Sequence, residues 1–265
     1  MIDLSKIDYS ELDVPQVLSI LFYPRPEFGS GAADNAIDLL IPVDEEVLVG
    51  ARVHAIDKQA PNILFFHGNG EIVADYEDMG ALYNKLRINF LPVDYRGYGR
   101  STGSPTITGM MRDCHVILHF LKDWLKEEGY TGPLIVMGRS LGSASAIELA
   151  FHYQELIDGL IVESGFASME PLFNLLSTSA TVSDIKRKGL SNLDKIASFD
   201  KPTLVIHAEY DHIIPFSNGE ALYKACGAGD KHFLKIPGAN HNDIFFHGMS
   251  EYLEAVTALV QKVKK

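Results

Sequence analysis

Short strand-type runs alternate with helical stretches through most of this chain. Helical patterns separate the runs, and the longest covers residues 110–127. Strands that alternate with helices form crossover units and a mostly parallel sheet covered on both faces. The alternation therefore predicts an α/β fold. The strand-type runs are residues 62–66, 89–94, 133–137, 159–162, 203–207 and 232–236.

The first part of the chain departs from this alternation. Residues 37–41 and 47–55 are separated by a polar turn, which predicts an antiparallel hairpin ahead of the parallel strands. Before the hairpin, the apolar residues 14–22 predict a short helix within a docking segment, residues 1–36. A membrane-surface helix usually carries basic residues, and acidic ones flank this stretch, so docking on the domain is the favoured interpretation. We expect one domain over residues 1–265.

An insertion interrupts the pattern at residues 166–200, between two strand-type runs. A stretch of this length above a sheet usually forms a lid or a helical excursion, so we predict a small cap. Its apolar side chains are predicted to line a substrate pocket, with the cap's own core as the alternative. Among them we single out Phe166, Met169 and Phe173 as substrate-binding candidates.

Charge and cysteine content limit the classes of function. The formal net charge is -12, from 35 acidic and 23 basic residues, which disfavours binding to nucleic acids and anionic membranes. Cys114 and Cys226 cannot build a disulfide framework and fit reduced thiols in the cytoplasm. The first residues lack the basic and apolar regions of a secretory signal, and no apolar run is long enough to cross a membrane. We therefore expect a cytoplasmic protein without an integral membrane segment.

Residues 138–142 read Gly-Arg-Ser-Leu-Gly and stand between a predicted strand and a predicted helix over residues 140–151. This G-x-S-x-G pattern is typical of a sharp strand-to-helix turn that presents a nucleophilic serine. The glycines remove side chains where the strand and the helix nearly touch. We predict Ser140 as the nucleophile. The structural alternative is a glycine-flanked turn with an idle serine.

A serine hydroxyl needs a base that takes its proton and an acid that orients the base. In this architecture the chain order is serine, acid, histidine. Asp211 follows the strand at 203–207 and His241 follows the strand at 232–236, so both are expected at the carboxyl edge of the sheet. We predict Asp211 as the acid and His241 as the base. The weaker rivals are His212 and His247 for the base, and Glu163 and Asp243 for the acid.

The loop His67-Gly68-Asn69-Gly70 follows the first parallel strand. A tetrahedral intermediate needs two fixed donors, and we predict the backbone N–H groups of Leu141 and Asn69 as this oxyanion hole. The alternative is a simple flexible turn. His115 and His119 have a helical metal-ligand spacing, but no cluster completes it, so no metal is expected. No organic cofactor is implied either.

These motifs together resemble the α/β-hydrolase superfamily. Within it, the chain is most similar to small intracellular esterase-like and acyl-protein thioesterase-like serine hydrolases. The resemblance covers about residues 37–263 and implies that the loop at 94–101 has a structural role near the site. Gly70 and Ser143 depart from the commoner pattern without touching the mechanism. The motifs lie at residues 66–70, 94–101, 138–142, 209–215 and 238–242.

The sequence thus predicts an α/β-hydrolase fold that cleaves a carboxylic ester or thioester through an acyl-enzyme. The expected partner is a small-molecule ester or acyl substrate. The length of the acyl chain in that substrate and the oligomeric state of the protein are not predicted. A serine peptidase or amidase, an acyltransferase and a C–C bond hydrolase use the same kind of triad and stay as alternatives. A non-catalytic binding protein is the least favoured, since all three triad positions are filled.

Overall fold

A central sheet organises the computed structural model, which describes residues 2–28, 36–168 and 191–263. In these residues the strands have the order β1-β2-β4-β3-β5-β6-β7-β8. They are β1 (Ala36–Asp44), β2 (Val47–His54), β3 (Asn62–Phe66), β4 (Asn89–Val93), β5 (Leu134–Arg139), β6 (Gly159–Glu163), β7 (Thr203–Ala208) and β8 (Lys231–Ile236). The hairpin β1–β2 is antiparallel and joins β4 in antiparallel register, whereas β3 to β8 run parallel. The predicted α/β class, the parallel sheet and the N-terminal hairpin are confirmed.

The described helices are α1 (Pro15–Leu21), α2 (Glu77–Lys85), α3 (Ile107–Glu127), α4 (Ser143–His152), α5 (Asn192–Ile196), α6 (Phe216–Ala225) and α7 (Ile244–Val263). Single 3₁₀ turns lie at Leu4–Lys6, Val73–Tyr76 and Ser140–Gly142. One of these turns precedes α2. Another precedes α4, so the α-helix after the serine starts at Ser143 and not at Ser140. The short helix predicted within residues 14–22 is present as α1.

Alternate side chains of the parallel strands enter two separate cores. In β3, Leu64 and Phe66 pack into the core shared with α3, α4 and α6, and Ile63 and Phe65 pack into the core shared with α2 and α7. Both faces of the sheet are therefore covered by helices. This double burial explains why the strands read as continuous apolar runs and lack the alternation of a half-exposed strand.

Most of the predicted cap lies outside the described residues. This applies to residues 169–190, and so to the substrate-binding candidates Met169 and Phe173. Phe166 is described: it is half-buried against the core, and its carbonyl accepts a hydrogen bond from Asn192 Nδ2 at 2.8 Å, at the start of α5. Among the described helices, none combines the length and the apolar composition that crossing a bilayer requires.

Candidate active site

Ser140 lies at the turn between β5 and α4 in a left-handed backbone conformation, with φ of 50°. This conformation is strained for a residue with a side chain, and it is the geometry of a nucleophile presented above a sheet. The turn is so tight that a β carbon on Gly142 would lie 2.1 Å from the Phe66 carbonyl oxygen. On Gly138 it would lie 2.2 Å from the Gly142 carbonyl oxygen. Both flanking glycines are therefore sterically required.

The three side chains predicted to form the triad lie in one hydrogen-bonded chain. His241 Nε2 is 3.0 Å from Ser140 Oγ, and His241 Nδ1 is 2.7 Å from Asp211 Oδ2. A neutral imidazole that donates from Nδ1 can accept the serine proton at Nε2. All three residues are buried, with relative exposures of 8%, 3% and 7% for Ser140, His241 and Asp211. Because water is largely kept away, these polar contacts are stronger than they would be at the surface.

Asp211 is held as an ion by its surroundings. Its second oxygen accepts the backbone N–H groups of Ile213 at 3.0 Å and Ile214 at 2.8 Å. Burial opposes ionisation, but the hydrogen bond and charge of His241 and the N–H of Ile214 outweigh it and lower the pKa of Asp211. The carboxylate is therefore charged at neutral pH and can orient the imidazole.

The two predicted oxyanion donors follow two neighbouring strands of the sheet, β5 and β3. Leu141 directly follows the serine and is buried. Asn69 lies in the loop after β3, and its side-chain Oδ1 accepts hydrogen bonds from Tyr23 N–H and the Tyr98 hydroxyl, each at 2.7 Å. The side-chain oxygen of Asn69 is thus occupied by structural contacts.

The N-terminal segment takes part in holding this loop. Besides the contact of Tyr23 with Asn69, Arg25 Nε donates to the Gly70 carbonyl at 2.7 Å, and the Arg25 guanidinium also pairs with Asp75. Gly70 has φ of 78°, a conformation that favours glycine. Sequence reasoning missed this contact. Arg25 carries no local signal that would pair it with a loop more than 40 positions away.

The residues considered as alternatives for the base and the acid have other hydrogen-bond or ion-pair partners. His212 is exposed and contacts Asn240, and His247 Nε2 lies 3.6 Å from Asp243. Glu163 accepts hydrogen bonds from Arg139 Nε at 3.1 Å and the Tyr252 hydroxyl at 2.7 Å. Both of these partners of Glu163 are side chains. The contact with His241 Nδ1 is made by Asp211.

The loop at 94–101 supports the loop that carries Asn69. His67 is fully buried, and its Nε2 lies 3.1 Å from Asp94 Oδ1. The Tyr95 hydroxyl donates to the His67 carbonyl at 2.6 Å. Asp94 also accepts the Val73 N–H at 2.9 Å. These contacts fit the structural role that the resemblance implied for this loop.

The histidines with metal-ligand spacing also have structural surroundings. His115 Nδ1 lies 3.0 Å from the Tyr153 hydroxyl, and His119 packs edge-on against the same ring. In the part of the chain that the structure describes, no group of three or more His, Cys, Asp or Glu side chains is arranged to hold a metal ion.

Comparison with known proteins agrees with the fold. The chain has the α/β-hydrolase fold, and its sequence is similar to proteins described as α/β-hydrolase domain-containing. Residues 57–183 match the family model described as "Serine aminopeptidase, S33". Among solved structures, the esterase Pf2001 of Pyrococcus furiosus has a TM-score of 0.70 at 18% identity, covering 90% of this chain and 98% of that one. Est1E of Butyrivibrio proteoclasticus with bound ferulic acid has a TM-score of 0.69 at 17% identity, covering 86% and 100%.

Two curated relatives are similar in sequence. Protein bem46 of Schizosaccharomyces pombe is 31% identical over 187 residues, which cover 69% of this chain and 62% of the relative. Alpha/beta hydrolase domain-containing protein 17B of Homo sapiens is 29% identical over 212 residues, which cover 76% of this chain and 66% of the relative. The chain thus spans less than two thirds of the length of either relative.

Proposed function

We propose that this protein is a serine hydrolase that cleaves a carboxylic ester or thioester through an acyl-enzyme. The observation that carries the proposal is the buried hydrogen-bonded chain from Asp211 through His241 to Ser140. A hydroxyl in this arrangement is activated by an adjacent base, and the base is oriented by a carboxylate.

In the proposed acylation, Ser140 Oγ attacks the carbonyl carbon while its proton passes to His241 Nε2. The tetrahedral intermediate then expels the alcohol or thiol, which takes the proton from the imidazolium. Water attacks the acyl-enzyme and returns a proton to His241, which passes it to the departing Ser140. Asp211 stays ionised throughout and stabilises the imidazolium.

The backbone N–H groups of Leu141 and Asn69 are proposed to bind the oxyanion. They come from the turn after β5 and the loop after β3, which are neighbouring strands of the sheet. Removal of one such donor typically lowers kcat by roughly 10²–10³-fold. We also propose that Phe166, Met169 and Phe173 contribute to the acyl pocket.

The bond that is cleaved is proposed from the comparisons. One structural neighbour, Pf2001, is an esterase by name, and another, Est1E, has ferulic acid bound; this favours an ester. A second candidate is a peptidase, favoured by the description of the matching family model. Both candidates use the same triad, and they differ in the bond that is cleaved.

We further propose that residues 1–265 form one domain with a small cap at 166–200, and that the protein works in the cytoplasm. The cellular location rests on Cys114 and Cys226, which are both buried and free. Thiols that stay reduced fit a compartment with glutathione and thioredoxin.

A substrate panel tests the proposed activity. Aryl esters and acyl thioesters of increasing chain length, with aminoacyl amides as the peptidase arm, are offered to the wild type and to Ser140→Ala. We expect hydrolysis of esters or thioesters by the wild type, with a fall of at least about 10³-fold in Ser140→Ala. Turnover of the amides alone would favour the peptidase. Equal hydrolysis by both proteins would refute the serine mechanism.

A further inference from the structure

Arg139 is the last residue of β5 and stands directly before Ser140. Its side chain is nearly buried, with 12% of its surface exposed. The guanidinium group carries five N–H donors in a rigid planar fork, which can hold several acceptors at fixed angles. Its hydrogen-bond partners are Glu71, Glu163, His241 and Asn242.

One side of the fork reaches the loop after β3, which carries the proposed oxyanion donor Asn69. Arg139 Nη1 pairs with one carboxylate oxygen of Glu71. The other oxygen of Glu71 accepts the Gly68 N–H at 2.7 Å and the Tyr76 hydroxyl at 2.5 Å. Gly68 is the residue before Asn69. The backbone that would present the oxyanion donor is therefore fixed to Arg139 through one carboxylate.

The other side of the fork reaches the proposed base. Arg139 Nη2 donates to the backbone carbonyl of His241 at 2.9 Å and to Asn242 Oδ1 at 3.1 Å. This nitrogen touches none of the proposed reacting atoms, because it binds the main chain of His241 and not the imidazole. Its contact with the main chain limits where the imidazole can stand relative to Ser140.

We propose that Arg139 is a positioning residue that fixes the oxyanion loop (residues 67–70) and the base loop (residues 238–242) relative to the nucleophile. The inference rests on the proposed serine hydrolase function and deepens it. One rigid group next to Ser140 spans both loops, so a change in its shape is transmitted to both. Lysine would keep the charge but lacks the planar fork, and it cannot hold the two loops at once.

Arg52 provides a matched control for the alternative that Arg139 only balances buried charge. Its side chain is 1% exposed and contacts three carboxylates, and it lies on β2 outside the site. The change Arg52→Lys removes the same kind of fork from the same kind of surroundings. The carboxylates are those of Glu27, Asp38 and Glu77.

The test compares the wild type, Ser140→Ala, Arg139→Lys and Arg52→Lys with the best substrate from the panel. For Arg139→Lys we expect kcat to fall by about 10- to 100-fold with KM within about 3-fold, because a small misplacement of reacting groups costs rate more than binding. Arg52→Lys is expected to lower the melting temperature and leave kcat within about 2-fold. An aryl boronic acid, which forms a tetrahedral adduct on the serine, should bind Arg139→Lys more weakly by the factor lost in kcat/KM.

Several outcomes would overturn the inference. One is an Arg139→Lys enzyme that keeps kcat within 2-fold of the wild type. Another is that Arg139→Lys and Arg52→Lys lose kcat to the same extent for the same fall in melting temperature. If Arg139→Lys does not fold, Glu71→Gln replaces it: we expect about a 10-fold loss of kcat, and unchanged kinetics would contradict the role. A wild type without activity would overturn the proposed function and the inference together. An active wild type with an equally active Arg139→Lys would overturn the inference alone.

Discussion

At the scale of single residues, the site depends on how closely main-chain segments approach one another at the Ser140 turn, as well as on side-chain chemistry. Ser140 adopts its positive φ because β5 must turn at once into a helical segment. The two glycines of the turn face main-chain atoms of Phe66 and Gly142. Main-chain atoms cannot rotate away as the end of a flexible side chain can, so the local geometry tolerates little change.

Gly142→Ala tests this steric account. The added β carbon would lie 2.1 Å from the Phe66 carbonyl oxygen, and the backbone must shift to relieve the clash. We expect the free energy of unfolding to fall by about 1–3 kcal/mol or more, together with a loss of hydrolysis. Gly229→Ala is the matched control, because no heavy atom other than those of Gly229 and its two chain neighbours lies within 4 Å of the added carbon. Urea titrations at pH 7 provide the measurement, and equal stability of the two variants would contradict the account.

At the scale of elements, a buried ionic cluster joins three helices of one core. Glu148 on α4 is 3% exposed and contacts Lys195 Nζ on α5 at 2.5 Å and His115 Nε2 on α3 at 3.4 Å. Burial alone would disfavour its charge. The contacts with His115 and Lys195 outweigh this cost and lower the pKa of Glu148 from 4.5 to about 2.

Glu148→Gln tests the cluster through pH. Because the pKa is lower in the folded state, the stabilisation is fully present above pH 4.5 and is lost as the pH falls toward 2. We expect Glu148→Gln to lose about 3 kcal/mol of unfolding free energy at pH 7. The gap to the wild type should narrow as the pH falls from 4.5 to about 2.

The control for this prediction is Glu220→Gln on α6. Its carboxylate is exposed and lies 3.9 Å from Lys224, so its loss should change the unfolding free energy by less than about 1 kcal/mol. Urea titrations over the same pH range compare the two variants. A gap for Glu148→Gln that stays constant with pH would show that the charge of this residue does not supply the stabilisation.

At the scale of the whole molecule, the sequence predicts well those features that a local residue pattern determines. Strands covered on both faces appear in the sequence as continuous apolar runs. The observed ends of β3 and β7 therefore lie within one residue of the predicted ends. The glycine-flanked Ser140 has a five-residue signature of its own. These signals are local, and for that reason a single sequence carries them.

The contacts that the sequence does not predict join distant positions. Arg139 meets the carbonyl of His241, 102 positions away, and Tyr23 meets Asn69, 46 positions away. Their choice of partner depends on how the sheet brings loop ends together, and no periodicity records it. The same holds for Glu163, whose position at the end of β6 made it a rival for the acid, although its hydrogen bonds go to Arg139 and Tyr252.

The most direct test of the central claim is covalent labelling by a fluorophosphonate, followed by mass spectrometry to locate the adduct. The account predicts one adduct on Ser140 in the wild type and none in Ser140→Ala. It also predicts a labelling rate at least about 10³-fold lower in His241→Ala and an unchanged rate in the control His247→Ala. An adduct on another residue, or a His241→Ala protein that is labelled as fast as the wild type, would contradict it.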